Sequence, residues 1–160
     1  MEAKVFWNGA LTFAGTSDSR FSLPLDGSTS TGGAGSGFKP MELFAIGLAG
    51  CTAMDVISIL TKKRQDVTGF EVQVHADRAE THPKVFTHAV IEYFVTGHSI
   101  DETAVVRSIE LSTTAYCPAQ AMLSQVMPIE LVYHIYEDQG DGKRALVKTG
   151  EYLHPEQAVQ

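Results

Sequence analysis

The stretch from Pro40 to about Arg64 constrains this chain more than any other, because Leu43, Phe44, Ile46, Leu48, Ala49, Met54, Val56, Ile57, Ile59 and Leu60 go nearly all the way round a helix. Pro40 suits a first turn, Glu42 suits the positive N-terminal end, and Lys62, Lys63 and Arg64 suit the negative C-terminal end. The spacing therefore predicts one long helix with both ends marked. Its length meets the requirement of about 18 apolar residues for a membrane span. Thr52, Asp55 and Ser58 lie inside it, however, and an ionisable side chain at that depth is costly in lipid. A buried central helix is the expectation, with no membrane as partner. One sheet in a chain of 160 residues offers too little cover for a helix apolar on several faces, which points to a second copy.

With 44% apolar and 19% charged residues the chain is a soluble globular domain with a real core. Twelve Lys plus Arg against nineteen Asp plus Glu leave a charge of −7, the wrong sign for a protein that neutralises phosphates, so nucleic acid and anionic membrane surfaces are excluded as partners. The opening Met1-Glu-Ala-Lys-Val-Phe6 lacks a basic-then-apolar signal pattern, which places the chain in the cytoplasm, where thiols stay reduced.

Around the helix, residues 3–7 and 11–14 flank Asn8-Gly9 as a β-hairpin, and a third strand covers Phe21 to Leu25. The stretch from Gly27 to Gly37 reads as a flexible loop with nothing to bury. Beyond the helix, Phe70 to Arg78 and Val85 to Thr96 alternate as two antiparallel strands joined at Thr81-His82-Pro83. Asp101 or Ser99 caps a helix carrying Ala104, Val105, Ile109 and Leu111, Cys117-Pro118 opens a short helix to about Val126, and Ile129 to Tyr136 returns to strand. Strands in groups mark an α+β fold. The domain is expected over residues 1–137, with residues 138–160 as a polar C-terminal tail.

Cys51 and Cys117, 66 residues apart, are the chemistry-bearing candidates. The separation excludes a CxxC redox pair and an all-thiolate zinc site, and the histidines at 75, 82, 88, 98, 134 and 154 show no ligand spacing. Gly33-Ala-Gly-Ser-Gly37 lacks the Gly-Lys-Ser/Thr ending of a phosphate loop. No metal and no cofactor are expected. Cys51, in mid-helix and apolar surroundings, is inert without a cation, and on its own it reads first as a small core residue. Cys117 sits at a helix start, where the dipole lowers a thiol pKa. Asp55, four residues after Cys51, shares its helical face and reads as one half of a buried salt bridge between subunits.

Lys39-Pro-Met-Glu-Leu-Phe-Ala45, Gly47-Leu-Ala-Gly-Cys-Thr-Ala-Met-Asp-Val56 and Tyr116-Cys-Pro118 together resemble the OsmC/Ohr superfamily of osmotically inducible and organic hydroperoxide resistance proteins. Cys51-Thr-Ala-Met-Asp-Val-Ile-Ser-Ile-Leu60, Lys63-Arg-Gln-Asp-Val67 and Phe86-Thr-His88 narrow the resemblance to its YhfA-like branch. It implies an OsmC-like fold, with antiparallel sheets packed around a long buried central helix in an intertwined homodimer. It further implies a peroxidase in stress defence, in which Cys51 attacks the O–O bond of an organic hydroperoxide, Cys117 resolves the sulfenic acid as a disulfide, and an external dithiol recycles the pair. By this resemblance Arg20 is the candidate for the arginine that activates the thiolate, and Glu42, one step beyond the family's position, the candidate for the positioning glutamate. Met41 occupies the position where the peroxidase branches have that glutamate. Nine residues at 100° amount to about 900°, so Glu42 projects from the opposite side of the helix to Cys51. A different function class remains open, a non-catalytic, redox-sensitive dimer that binds a small hydrophobic ligand.

Overall fold

The computed structural model describes residues 1–153, and packing divides it into two compact units, Met1–Ile46 and the chain from Gly47 onward. In the first unit β1 (Ala3–Trp7), β2 (Phe13–Ser17) and β3 (Ser22–Leu25) form an antiparallel sheet in chain order. Its first hairpin is looser than the tight Asn8-Gly9 turn expected. Gly9 (φ 104°) and Ala10 (φ 46°) are both left-handed, Asn8 N–H donates to the Thr12 carbonyl at 2.9 Å, and β2 starts two residues later than the sequence pattern indicates.

The glycine-rich stretch after β3 is also more ordered than its composition implies. Asp26, 2% exposed, lies at its centre. The carboxylate accepts from the backbone N–H groups of Gly27 (2.7 Å), Ala34 (3.1 Å) and Ser36 (3.0 Å) and from the Ser36 hydroxyl (2.9 Å). Asp26 N–H in turn donates to the Phe38 carbonyl at 3.0 Å, which ties the two ends of the loop together. The Ser36 N–H and hydroxyl, then the N–H groups of Gly27 and Ala34, outweigh the cost of burial and hold this carboxyl below its ordinary range.

Helix α1 (Pro40–Lys62) bears out the predicted long helix. It ends with Arg64 in the left-handed region (φ 58°), with Arg64 N–H donating to Thr61 and Gln65 N–H to Leu60, a Schellman closure made without glycine. Burial is narrower than expected. Within the chain only the stripe Leu48, Thr52, Val56 and Leu60 is buried, while Phe44, Ile46 and Met54 are 58%, 50% and 71% exposed. By length and mean hydropathy (2.0) α1 could cross a membrane, but its stripe belongs to the hydrophobic core, the position of a core helix.

In the second unit β4 (Asp66–Arg78), β5 (Phe86–His98), β6 (Ile129–Gly140) and β7 (Lys143–Tyr152) form one sheet in that order. β4–β5 and β6–β7 are antiparallel, whereas β5–β6 is parallel, a departure from the wholly antiparallel expectation. Parallel neighbours need a crossover. It consists of α2 (Glu102–Leu111), capped by Asp101 through Thr103 N–H, then a π-helical turn over Ser112–Tyr116, then α3 (Pro118–Leu123). Alternate residues Ala89, Ile91, Tyr93 and Val95 of β5 and Ile129, Leu131, Tyr133 and Ile135 of β6 enter the core with Ala104, Val105 and Ile109 of α2 and the α1 stripe. The sheet, the crossover and α1 thus share one core.

The reading of residues 138–160 as a tail is corrected for its described part. A two-residue turn at Asp141 (φ 52°) and Gly142 (φ 73°) closes β6 onto β7, and Gly150 lies opposite Tyr133, whose ring occupies the space a Cβ would need. β7 is an edge strand exposed over most of its length, so it carries no alternating apolar signal and is held by its backbone ladder. Residues 154–160 of the expected tail, including His154, lie outside the described residues.

Because the folded pKa of Asp26 is depressed, its contribution is present above the unfolded value of about 3.9 and is lost as pH falls through the folded value. At neutral pH an Asp26→Asn variant is expected to exchange the Ala34 and Ser36 amide hydrogens faster by roughly tenfold or more, the scale of a lost charge-assisted hydrogen bond. Hydrogen exchange followed by NMR checks this, and in the wild type the same protection is expected to fade only below about pH 4.

Candidate functional site

Three elements of the second unit converge on the thiols. α1 carries Cys51, Thr52 and Asp55, β5 carries Tyr93, and the crossover carries Ser112, Cys117 and Gln120. Four-residue spacing sets Cys51 and Asp55 on one helical face. The two sulfurs and a carboxylate oxygen of Asp55 all lie within 4.8 Å of one another. Both cysteines are free thiols, Cys51 half-buried and Cys117 2% exposed. The fold therefore closes the 66-residue gap between them.

Cys117 owes its place to the end of α2. There the helix widens to π geometry and Cys117 N–H donates to the Ser112 carbonyl at 2.8 Å. Pro118 then starts α3, and the Cys117 sulfur caps it by accepting the Gln120 N–H at 3.4 Å. The capping position was expected to lower the thiol pKa, and the structure corrects this. Burial, reinforced by the neighbouring Cys51, pushes Cys117 up to about 12 against the opposing Gln120 N–H. A helix of only six residues has too small a dipole to reverse that.

A chain of hydroxyls lies beside the thiols. Tyr93 OH meets Thr52 Oγ1 at 2.7 Å, Thr52 Oγ1 meets Ser112 Oγ at 3.0 Å, and Ser112 Oγ donates to Asp55 Oδ2 at 3.1 Å. Each hydroxyl has one proton to give, and a carboxylate can only accept. The direction is therefore fixed from Tyr93 through Thr52 and Ser112 to Asp55. Gln120 Nε2 feeds the far end by donating to Tyr93 OH at 3.4 Å. Burial raises the pKa of Tyr93, so it remains a donor. None of Thr52, Tyr93, Ser112 and Gln120 is a candidate from the sequence. One signal was available: Thr52 interrupts the apolar stripe Leu48–Val56–Leu60, and Ser112 continues that of α2, and a polar residue on a buried stripe needs a partner.

Arg20 and Glu42 belong to the first unit. Arg20 stands between β2 and β3 with φ 62°, exposed, lining a depression of about 450 Å³ with Glu2, Lys4, Phe6, Thr16, Ser17 and Asp18. Both Glu42 oxygens are engaged by Lys39, Oε2 by its N–H at 3.0 Å and Oε1 by Nζ at 3.0 Å, which makes Glu42 the reciprocal cap of α1. The Lys39 N–H, then its side chain, lower the Glu42 pKa. Arg107 on α2 pairs with Glu110 at 2.7 Å. Asp55, expected in a salt bridge between subunits, has within the described chain the Ser112 hydroxyl as its partner. A cavity of about 300 Å³ lined by Asp55, Ser58, Ile59, Lys62, Leu111 and Tyr116 opens beside the site. A second of about 200 Å³ touches Cys117, Pro118 and, again, Tyr116.

Since the folded pKa of Cys117 is raised, the stability tied to its neutral thiol is complete below the unfolded value of about 8.5 and is lost as pH rises towards about 12. Melting temperature is therefore expected to fall across that window, and the fall is expected to flatten in Cys117→Ser, as followed by circular dichroism.

A family model described as OsmC-like protein matches residues 33–132. Protein YhfA of Escherichia coli (strain K12) is 38% identical over 138 residues, which covers 84% of this chain and 98% of that protein. A crystal structure of a hypothetical protein from Aquifex aeolicus VF5 superposes with a TM-score of 0.75 at 25% identity, covering 86% of this chain and 97% of that one. An organic hydroperoxide resistance protein OsmC from Legionella pneumophila shares the fold, with a TM-score of 0.62 at 18% identity over 84% of this chain and 94% of its own. Family match, sequence identity and fold agree, and the chain belongs to the OsmC-like family.

Proposed function

We propose that this protein reduces organic hydroperoxides with Cys51 and Cys117. The observation that carries the reading is the approach of two free sulfurs to within 4.8 Å, one partly exposed and one buried. The Cys51 thiolate attacks one peroxide oxygen, the O–O bond breaks, an alcohol leaves, and Cys51 becomes a sulfenic acid. The Cys117 sulfur then attacks the Cys51 sulfur, and its proton departs with the hydroxyl as water. An external dithiol returns two electrons to the disulfide. Burial spares the Cys117 thiol direct oxidation, and its attack requires the sulfenic hydroxyl to take its proton as the S–S bond forms.

Arg20 as activator and Glu42 as positioning group complete the proposal, in a homodimer in the cytoplasm serving stress defence. The exposed apolar residues of α1, Phe44, Ile46 and Met54, are the surface that a second copy covers. One feature favours the rival reading of a small-ligand binder. Glu42 is fully occupied by Lys39, while Ile59, Leu111 and Tyr116 give the neighbouring cavity apolar walls.

Reduced protein given one equivalent of cumene hydroperoxide is expected to lose two hydrogen atoms by mass and to yield a peptide linked through Cys51 and Cys117. Cys51→Ser is expected to abolish peroxide consumption, Cys117→Ser to stop at a trappable sulfenic acid, and Arg20→Ala to slow the first step by about tenfold or more, the kinetic equivalent of one charged hydrogen bond. Sedimentation of the same sample is expected at twice the chain mass. Thiols unchanged by stoichiometric peroxide, with a hydrophobic ligand bound equally well by Cys51→Ser, would establish the rival reading.

A further inference from the structure

We propose that Cys51, Cys117 and Asp55 form a binding site for a thiophilic divalent cation, Zn²⁺ foremost, with two sulfurs and one carboxylate oxygen as ligands and a fourth position open to solvent. Local spacing in the sequence offers no metal site, but the fold brings together donors from α1 and the crossover. Their ligand atoms lie within 4.8 Å of one another. Zn–S bonds of about 2.3 Å and Zn–O bonds of about 2.0–2.2 Å in tetrahedral geometry need donors about 3.5–3.8 Å apart, which small side-chain rotations reach.

Three further features fit an ion. Ser112 Oγ holds Asp55 Oδ2 at 3.1 Å, and among the described residues the other carboxylate oxygen has no hydrogen bond. An outer hydroxyl that orients a ligating carboxylate is the usual support of a metal site. Two thiolates and a carboxylate leave one negative charge beyond the ion's own, and Lys62 lines the cavity beside Asp55. That cavity and the one touching Cys117 give solvent a route to the open position. Two sulfurs among three donors select Zn²⁺ or Cd²⁺ over Mg²⁺ and Ca²⁺.

Binding exchanges two thiol protons for one cation, and the protons leave to solvent. The same sulfur lone pairs make the disulfide, so cation and disulfide exclude each other. A bound ion protects the pair from oxidants, and oxidation by a peroxide or other two-electron oxidant expels the ion. The site stands on geometry alone and does not need the protein to be a peroxidase.

The test uses the reduced full-length protein, without oxygen or peroxide. Titration with Co²⁺ is expected to produce sulfur-to-metal charge-transfer absorption that saturates at one ion per chain, and Zn²⁺ is expected to displace it. Asp55→Asn is expected to weaken Zn²⁺ by about 100-fold and Ser112→Ala by about tenfold, within the span usual for altered metal surroundings. Zn²⁺ is also expected to slow alkylation of Cys51 in the unaltered chain, a readout that needs no variant. Absent charge-transfer bands, unchanged alkylation, or equal Zn²⁺ affinity in the Cys51→Ser/Cys117→Ser double variant or in Asp55→Asn would overturn the proposal. Peroxide reactivity measured separately on ion-free protein keeps that result distinct from a failure of the peroxidase reading.

Discussion

The site depends on one constraint: Thr52 is a polar residue on the stripe by which α1 enters the core, and its buried hydroxyl must be satisfied. It is satisfied from two directions, by Tyr93 on β5 and by Ser112 at the end of α2. Those bonds fix α1 against both the sheet and the crossover. Cys51 is next to Thr52 in sequence, and Cys117 N–H is bonded to the Ser112 carbonyl, so the contacts that satisfy Thr52 also set the distance between the sulfurs. Among the described residues no buried side-chain polar atom lacks a partner, so the network is complete.

Completeness on one side and openness on the other give the two thiols different surroundings. Cys117 is enclosed and kept neutral by burial, whereas Cys51 is half-buried in the same cluster. Asp55 terminates the hydroxyl chain and draws every proton in it towards itself. That polarity holds the carboxylate in place beside two sulfurs. Electron-pair donation from those sulfurs is then available either to an electrophilic oxygen or to a cation.

Much of this was legible in the residues. The all-round apolar run with its Pro40 start and basic end located α1 almost to the residue, and alternation found β4, β5 and β6. The motifs around Cys51 and Cys117 singled out the pair. What was missed shares a physical cause: interactions carried by backbone or by partners distant in sequence leave no periodic trace. Asp26 orders its loop through main-chain N–H groups, and β7 pairs by ladder bonds while most of its side chains stay exposed. Cys117 was assigned a lowered pKa because its capping position is visible in sequence while the burial that outweighs it is not. Tyr93 and Ser112 sit 41 and 60 residues from Thr52, and their bonds emerge only from the parallel crossover.

The Thr52 hydroxyl sets the geometry of the thiol pair without bonding to either sulfur. Thr52→Val keeps the shape and removes the hydroxyl. The direct measurement is the rate at which the Cys51–Cys117 disulfide closes once Cys51 is oxidised, followed by quenched mass spectrometry. Closure is expected to be slower by about tenfold or more in Thr52→Val, with sulfenic acid accumulating, alongside a stability loss of about 1–3 kcal/mol for the orphaned partners. Closure at the wild-type rate in a folded Thr52→Val protein would contradict this role of the hydroxyl.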